Sequence, residues 1–571
     1  MNEAARSDLP ASDWLAPVIA GLIVAVPTVL FRYPPMVDLP LHEQAVAILR
    51  HLHDPAIFPP GLYIRNLGHS NQLFYLLSLA ASYVIGVEPA CKLVAAAAVF
   101  SIPVAGGRLA AHLGASRWVA VLLAPVALGW LYFWGLLANL LGLAALLALL
   151  PTLDDLAERP SARRAVGAIL GVFVLYECHE LLLILYAGAS LIFAMGYRID
   201  ARATLWRVSP FFAAVAISLV EQVWVSRIIT AEVSRVVPMN SPLLRKILVI
   251  PDVLFSKFDL IPYHPVACVS ALSISLICAA AWRVRLPLSR SPRELLHRFR
   301  FELFGLACFT IYLAMPVNIH GATLVCHRFL APSYAILVIC LAPRGPHAAL
   351  GRLTRFALAT TPIGMLLLTW PAFIDVGRSV EDMDKLLPQI EMGSAVAQLE
   401  TGPRAPERPD AVASVSARVL TTRGGRMLFS FVESPIFPVM FAPEHEWDEP
   451  IKRMLFDHFK FCPSQDLTRF RYVLVHAQTA GMALATALAM RPEARLVDAA
   501  GEWTLFESKL PQRSLMSPDV PAEKCPASLG ARMQSALKQA QPDATNTQAV
   551  IHDGSSADAG AGVIDAGASG P

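Results

Sequence analysis

The chain is short of charge. Only 16% of its 571 residues are Asp, Glu, Lys or Arg, where a soluble protein carries about 25%. Apolar residues make up 55%, and mean hydropathy is +0.51. An ordinary soluble enzyme is excluded, and a net charge of +3 is too small to suggest a nucleic-acid binder. The motifs of soluble nucleotide and hydrolase chemistry are missing too: no P-loop, no G-x-S-x-G, no H-E-x-x-H and no G-x-G-x-x-G in a strand–helix setting. None of the nine cysteines has C-x-x-C or Cys/His metal spacing. Cys91, Cys178, Cys268, Cys278, Cys308, Cys326 and Cys340 lie in or beside apolar runs and read as small core residues. Cys462 and Cys525 fall in the polar C-terminal region, where a disulfide would form in an oxidising compartment.

What the chain has is apolar runs. Crossing about 30 Å of hydrocarbon takes roughly 20 apolar residues as a helix. Candidate spans fall near 14–31, 72–87, 91–111, 118–134, 136–152, 165–178, 180–197, 209–228, 264–282, 301–317, 325–342 and 356–372. The fold class expected is an all-α polytopic membrane bundle of about 11–13 transmembrane helices, with a small C-terminal extracytoplasmic α/β domain. Residues 1–13 hold Glu3, Asp8 and Asp13 against Arg6, and no cleavage site follows Phe31, so 14–31 reads as a retained first span. The basic loops 283–300 and 343–355, the latter with Arg344, Arg352 and Arg355, are assigned to the cytoplasm, which leaves everything after 372 outside. That topology needs an odd number of spans, and the candidates are even in number. One in the first half is therefore wrong; the suspects are 91–111, broken by Pro103, Gly106 and Gly107, and the pair within 118–152.

The transmembrane domain is placed at 1–372, with its first outer loop at 32–71, and the α/β domain at 373–509. In the latter, "RMLFSFVES" and "RYVLVHA" read as short buried strands, "AGMALATALAM" as helix, and "ARLVDAAGEWTLFES" as two strands around Gly501. The tail 510–571 is too poor in apolar residues to order itself.

The first outer loop opens with "FRYPPMVDLPLHEQAVAILRHLHD", Phe31 to Asp54. Pro40 suits the first turn of a helix over about 40–53. Leu41, Ala45, Ile48, Leu49 and Leu52 share one side of it, and His42, Glu43, Arg50 and His53 the other. The helix is too short and polar to span, and fits one lying along the membrane with its apolar side in lipid or against other spans. Asp38, just before it, is either the cap of that helix or a general base at the membrane surface.

Other polar groups interrupt apolar runs. His179, flanked by Glu177 and Glu180, marks either a surface turn between spans or a cavity wall from which His179 donates to a phosphate or hydroxyl. Arg328 and His327 open the span 325–342. An Arg fork there would grip phosphate oxygens, or simply snorkel. Arg65 and His69, at the end of the first loop, are a second candidate phosphate contact or plain loop residues.

The strings "PPMVDLPLHEQAVAIL" (34–49), "WGLLANLLGLAALLALL" (134–150), "YECHELLLILYAG" (176–188) and "HRFLAPSYAILVICLAP" (327–343), together with an acid in the first outer loop, resemble the GT-C superfamily of membrane glycosyltransferases in its uncharacterised bacterial members. The resemblance implies a multi-pass protein of the bacterial inner membrane that takes a sugar from a polyprenyl-phosphate donor and passes it to a glycan, lipid or protein acceptor, with inversion. It implies Asp38 as general base, with Arg328, His327, Arg65, His69, His42, Glu43 and His179 as substrate-binding candidates. The usual acid pair is not present, since position 37 is Val. Asp38 therefore stands alone, with Glu43 as the next acid; no cofactor is expected, and a divalent metal, which wants more oxygen ligands, is possible but not supported. The lone acid leaves open a member without activity. The rival reading is a non-catalytic membrane protein: a transporter, a lipid-handling scaffold or a receptor-like pseudoenzyme.

Overall fold

A computed structural model describes residues 11–225, 241–255, 291–317, 324–344, 350–400, 412, 414–428, 430–433, 437–447, 461–476 and 479–515. The expected span 264–282, all but the first residues of the expected tail, and Cys525 lie outside them.

Among the described residues, five helical stretches are long and apolar enough to cross a membrane: Val87–His112, Arg117–Trp134 (itself broken within), Leu137–Glu158, Ala201–Val223 and Arg352–Gln389. Shorter apolar helices, Leu15–Leu30, Leu73–Ile85, Glu180–Met195 and Cys326–Leu341, pack among them. We label Leu15–Leu30 α1, Leu39–His51 α2, Leu73–Ile85 α3 and Val87–His112 α4. The fold is the helical bundle with a small C-terminal α/β unit that the sequence leads one to expect.

The α/β unit holds a five-stranded sheet in the order β3-β2-β5-β7-β6. Its strands are β2 (Ala395–Glu400), β3 (Arg426–Met427), β5 (Tyr472–His476), β6 (Ala494–Ala500) and β7 (Trp503–Ser508). β2 pairs in parallel with β3 and β5, and β7 runs antiparallel to β5 and β6. Gly501, at φ +56°, turns β6 into β7, as the "DAAGEW" string suggests. "RMLFSFVES" yields only the two-residue β3, after which the chain tightens into a 3-10 turn at Phe431–Glu433. The Arg352–Leu386 helix carries the chain from the bundle into this unit, past residue 372 and without a break.

The unit is also sewn to the first loop. β1 (Tyr63–Arg65) pairs antiparallel with β4 (Val439–Phe441), and Tyr63 stacks on Phe441 at 5.1 Å. We call this the domain end of the bundle. At the far end, Asp154 accepts from Arg300 Nε at 2.5 Å and pairs with His112 at 2.8 Å, while Arg300 Nη2 reaches Glu158 at 3.1 Å. This buried network ties α4 and the Leu137–Glu158 helix to Arg300–Ala314.

These anchors correct one expected span. α3 begins beside Asn66 and His69, which bond the backbone of Phe437. It ends three residues before Glu88, which pairs with Arg418 of the α/β unit at 3.1 Å. Both its ends are at the domain end, so the 72–87 segment does not cross. It runs beside α2 instead, with His42 on Tyr75 and Arg50 on the Ser82 carbonyl. Hydropathy cannot separate a short helix along the surface from one that crosses, because both bury apolar side chains.

α2 is not half-exposed either. Every residue from Leu39 to Leu49 is buried. The apolar side packs on the bundle, and the polar side is covered by the α/β unit, where Ser430 donates to Gln44 at 2.8 Å.

Candidate active site

Asp38 stands where α1 has ended and α2 begins. Lys92 of α4 helps close α1, donating to the carbonyls of Phe31 and Arg32 at 2.8 and 3.2 Å, the cation placement that suits a helix C-terminus. The chain then runs along the broken span 117–134. There Pro125, Gly129 and Gly135 split what hydropathy reads as one helix into short turns. The last turn, Trp130–Trp134, ends in carbonyls that meet the first loop. Val37 N donates to Phe133 O at 2.8 Å and Asp38 N to Trp134 O at 3.1 Å.

Asp38 occupies the N-cap position of α2, yet its side chain makes no cap hydrogen bond to that helix. Pro40 removes one amide that would need capping. The half-buried carboxylate acts electrostatically on Tyr75 and on Arg328. Arg328, from the short 3-10 turn Cys326–Phe329, also senses Glu180 and donates from Nη1 to His179 Nε2 at 3.1 Å. His179 is the break between the Ala162–Cys178 and Glu180–Met195 helices. Asn71 holds that break to the first loop, its side chain accepting from Glu180 N at 3.1 Å and its amide donating to Tyr176 O at 3.1 Å.

Asp38, Arg328 and His179 therefore gather at the domain end, drawn from three regions far apart in sequence. The other candidates lie around them. His42 is buried next to Asp38, with both ring nitrogens engaged. Nε2 donates to the Gly135 carbonyl at 3.0 Å, and Nδ1 accepts from Tyr75 at 2.7 Å. Burial pushes its pKa down to about 4, against the opposing pull of the Gly135 carbonyl. His69 sits at the seam with the α/β unit, its ring nitrogens on the carbonyls of Ser70 and Phe437 at 2.9 and 3.2 Å. Arg65 is exposed on β1, opposite Val439. His327 faces the bundle core, 5.4 Å from the Trp130 ring.

Glu43 belongs to a second cluster. Its neighbours are Arg418 at 4.0 Å, Glu88, Lys92 and Asp384. Arg418 also pairs with Glu88 and Asp384, each at 3.1 Å, and lies 4.3 Å over the Tyr33 ring. Tyr75 and Arg418 are the residues sequence reading missed. Tyr75 looks like one more aromatic in an apolar run, and the Arg in "SARVL" like a solvated helix residue.

A half-buried carboxylate within electrostatic reach of a guanidinium thus stands at one end of a polytopic helical bundle that carries a small α/β unit. Among solved structures, the chain is similar to ArnT from Cupriavidus metallidurans bound to undecaprenyl phosphate. That match has a TM-score of 0.53 at 10% identity, over 89% of this chain and 100% of that one. The apo state of the same protein matches with a TM-score of 0.49 at 10% identity, over 87% of this chain and 98% of that one. No protein-family model and no curated protein matches the sequence.

Proposed function

We propose that the chain is a membrane glycosyltransferase that moves a sugar from a polyprenyl-phosphate donor to an acceptor at the domain end of the bundle. A fold shared with a glycosyltransferase supports the class but does not by itself assign the chemistry. The observation that carries the reading is the placement of the Asp38 carboxylate: half-buried at the end of the bundle, within electrostatic reach of Arg328. In this reading Asp38 takes the proton from the acceptor hydroxyl. The hydroxyl oxygen attacks the anomeric carbon as the bond from that carbon to the phosphate oxygen breaks, with inversion. Arg328 donates to the departing phosphate, where charge develops. His179 holds the guanidinium in place.

The site would face the outside of a bacterial inner membrane, with the α/β unit beside it. Two observations support that side: basic residues crowd the loops of the far end, and Cys462 is disulfide-bonded, which suits an oxidising compartment.

The test is Asp38→Asn in lipid nanodiscs. Binding of undecaprenyl phosphate should persist, while transfer from polyprenyl-phosphate sugars isolated from bacterial membranes should fall by at least about 100-fold, the usual scale of general-base catalysis. Transfer at the unmodified rate would remove Asp38 from the chemistry.

A further inference from the structure

Arg418 lies in a short helix of the α/β unit, Arg418–Arg423, and its guanidinium is buried. It reaches three carboxylates from three elements: Glu43 on α2, Glu88 on α4 and Asp384 near the end of the Arg352–Leu386 helix. Arg32 and Tyr33, just past α1, close the cluster from the fourth side. Arg32 pairs with Asp384 at 3.1 Å, Tyr33 donates to the same carboxylate, and Arg418 Nη2 donates to the Tyr33 hydroxyl at 3.0 Å. A small hollow of about 20 Å³, lined by Arg32, Tyr33, Met36, Glu43, Val380 and Arg418 among others, opens beside it. Nothing in the proposed transfer uses these groups, yet Glu43 is on the second turn of the helix that Asp38 opens.

We propose that Arg418 is a positioning residue through which the α/β unit holds α2, and with it Asp38, and that a proton on the buried carboxyl of Glu43 keeps this clamp closed. The consequence for Asp38 rests on the transferase reading; the clamp itself does not.

Burial, more than the count of charges, decides the sign. Burial works against the charge of Arg418, but Glu88, Glu43 and Asp384 outweigh it and fix the guanidinium as a cation. Glu88 and Asp384 face three cations, Arg418, Arg32 and Lys92, so the count of charges alone would favour an ionised Glu43. What opposes it is burial, with the Arg418 guanidinium 4.0 Å away. Burial first, then Glu88, push the Glu43 pKa up to about 8; Arg418 and Lys92 pull the other way, and Asp384 adds to the rise. The thiol of Cys91 on α4 also borders Glu43. A carboxyl whose pKa is higher in the closed form than when exposed binds its proton more tightly there. Raising the pH therefore favours release of α2, and protonation favours closure.

The experiment is amide hydrogen–deuterium exchange of α2 in the full chain in nanodiscs, from pH 6.5 to 9.5, corrected for intrinsic exchange. Protection of α2 should fall as pH rises, by about tenfold between pH 7 and 9. Glu43→Gln, which keeps a neutral hydrogen-bonding group there, should hold the low-pH protection throughout. Arg418→Ala should lower protection at every pH, and Arg418→Lys should recover most of it. Protection in the unmodified chain that ignores pH, or a Glu43→Gln variant that follows the same pH curve, would overturn the clamp. Should the Arg418→Ala protein not fold, the Glu43→Gln and Arg418→Lys variants still decide. If the clamp responds as expected while Asp38→Asn leaves transfer untouched, the transferase reading falls and the clamp stands. The reverse pair of results removes the clamp alone.

Discussion

A methyl group placed on Gly135 would lie 2.9 Å from the backbone nitrogen of Asp38 and 3.0 Å from that of Leu39. Gly135 has φ +74°, and the backbone it touches cannot retreat as a flexible side chain would. Gly135→Ala should cost about 1–2 kcal/mol for the left-handed backbone alone, and more for the displaced loop. Because the displaced residue is the candidate base, transfer should fall further than thermal stability predicts. A variant that loses stability but keeps its rate per folded molecule would show that the position of Asp38 does not matter.

Arg328 tests the phosphate role separately. A charge-assisted hydrogen bond is worth about 1.5–3 kcal/mol, so Arg328→Ala should weaken undecaprenyl phosphate binding by roughly 10- to 150-fold. Arg328→Lys should recover part of this, since lysine keeps the charge but loses the fork. Equal affinity for all three proteins, read by scintillation proximity in nanodiscs, would leave Arg328 as a partner of His179 and nothing more.

The meeting of Asp38 with Arg328 was partly legible before any coordinates. A charge at the start of an apolar run must find water, a cavity or a partner, and both residues carry that mark. The glycine beneath Asp38 was not legible, because a close backbone approach leaves no trace in hydropathy. Nor was the burial of His42 and Glu43. Helical periodicity put them on a polar face, and only the folded α/β unit shows what covers that face. α3 was misread because its apolar side chains give no direction: Phe74 and Tyr75 are buried, while Leu76, Leu77, Val84 and Ile85 lie at the surface of the protein, as they would on a spanning helix. By contrast β5 was readable as a short apolar run, and β6 and β7 as two short stretches meeting at the turn residue Gly501.

His42 gives a pH prediction with a definite sign. Its pKa in the fold is about 4, below the ordinary 6.5. The unfolded chain therefore takes up a proton first as the medium is acidified. Stability from this group is complete above pH 6.5 and is lost as pH falls towards 4, by up to about 3 kcal/mol. The difference in melting temperature between the unmodified protein and His42→Gln should shrink over that window. A difference that stays constant from pH 7 to 4 would mean His42 does not stay neutral in the fold.

The reassignment of α3 bears on the proposed sidedness. Removing 72–87 from the candidate spans leaves an odd number, which is what the proposal of an outer α/β unit and an inner N-terminus needs. Ala56 in the first loop and Arg495 on β6 are both exposed at the domain end, and Arg163 is exposed at the far end, at the start of the helix after Glu158. A membrane-impermeant maleimide added to intact cells should modify Ala56→Cys and Arg495→Cys alike, and Arg163→Cys only after the cells are broken. If Ala56→Cys and Arg495→Cys labelled from opposite sides, β1 could not pair with β4. The carboxylate and the cap would then not share one face of the membrane. If both labelled only from within, the fold would stand, but a polyprenyl donor would have to be met in the inner leaflet.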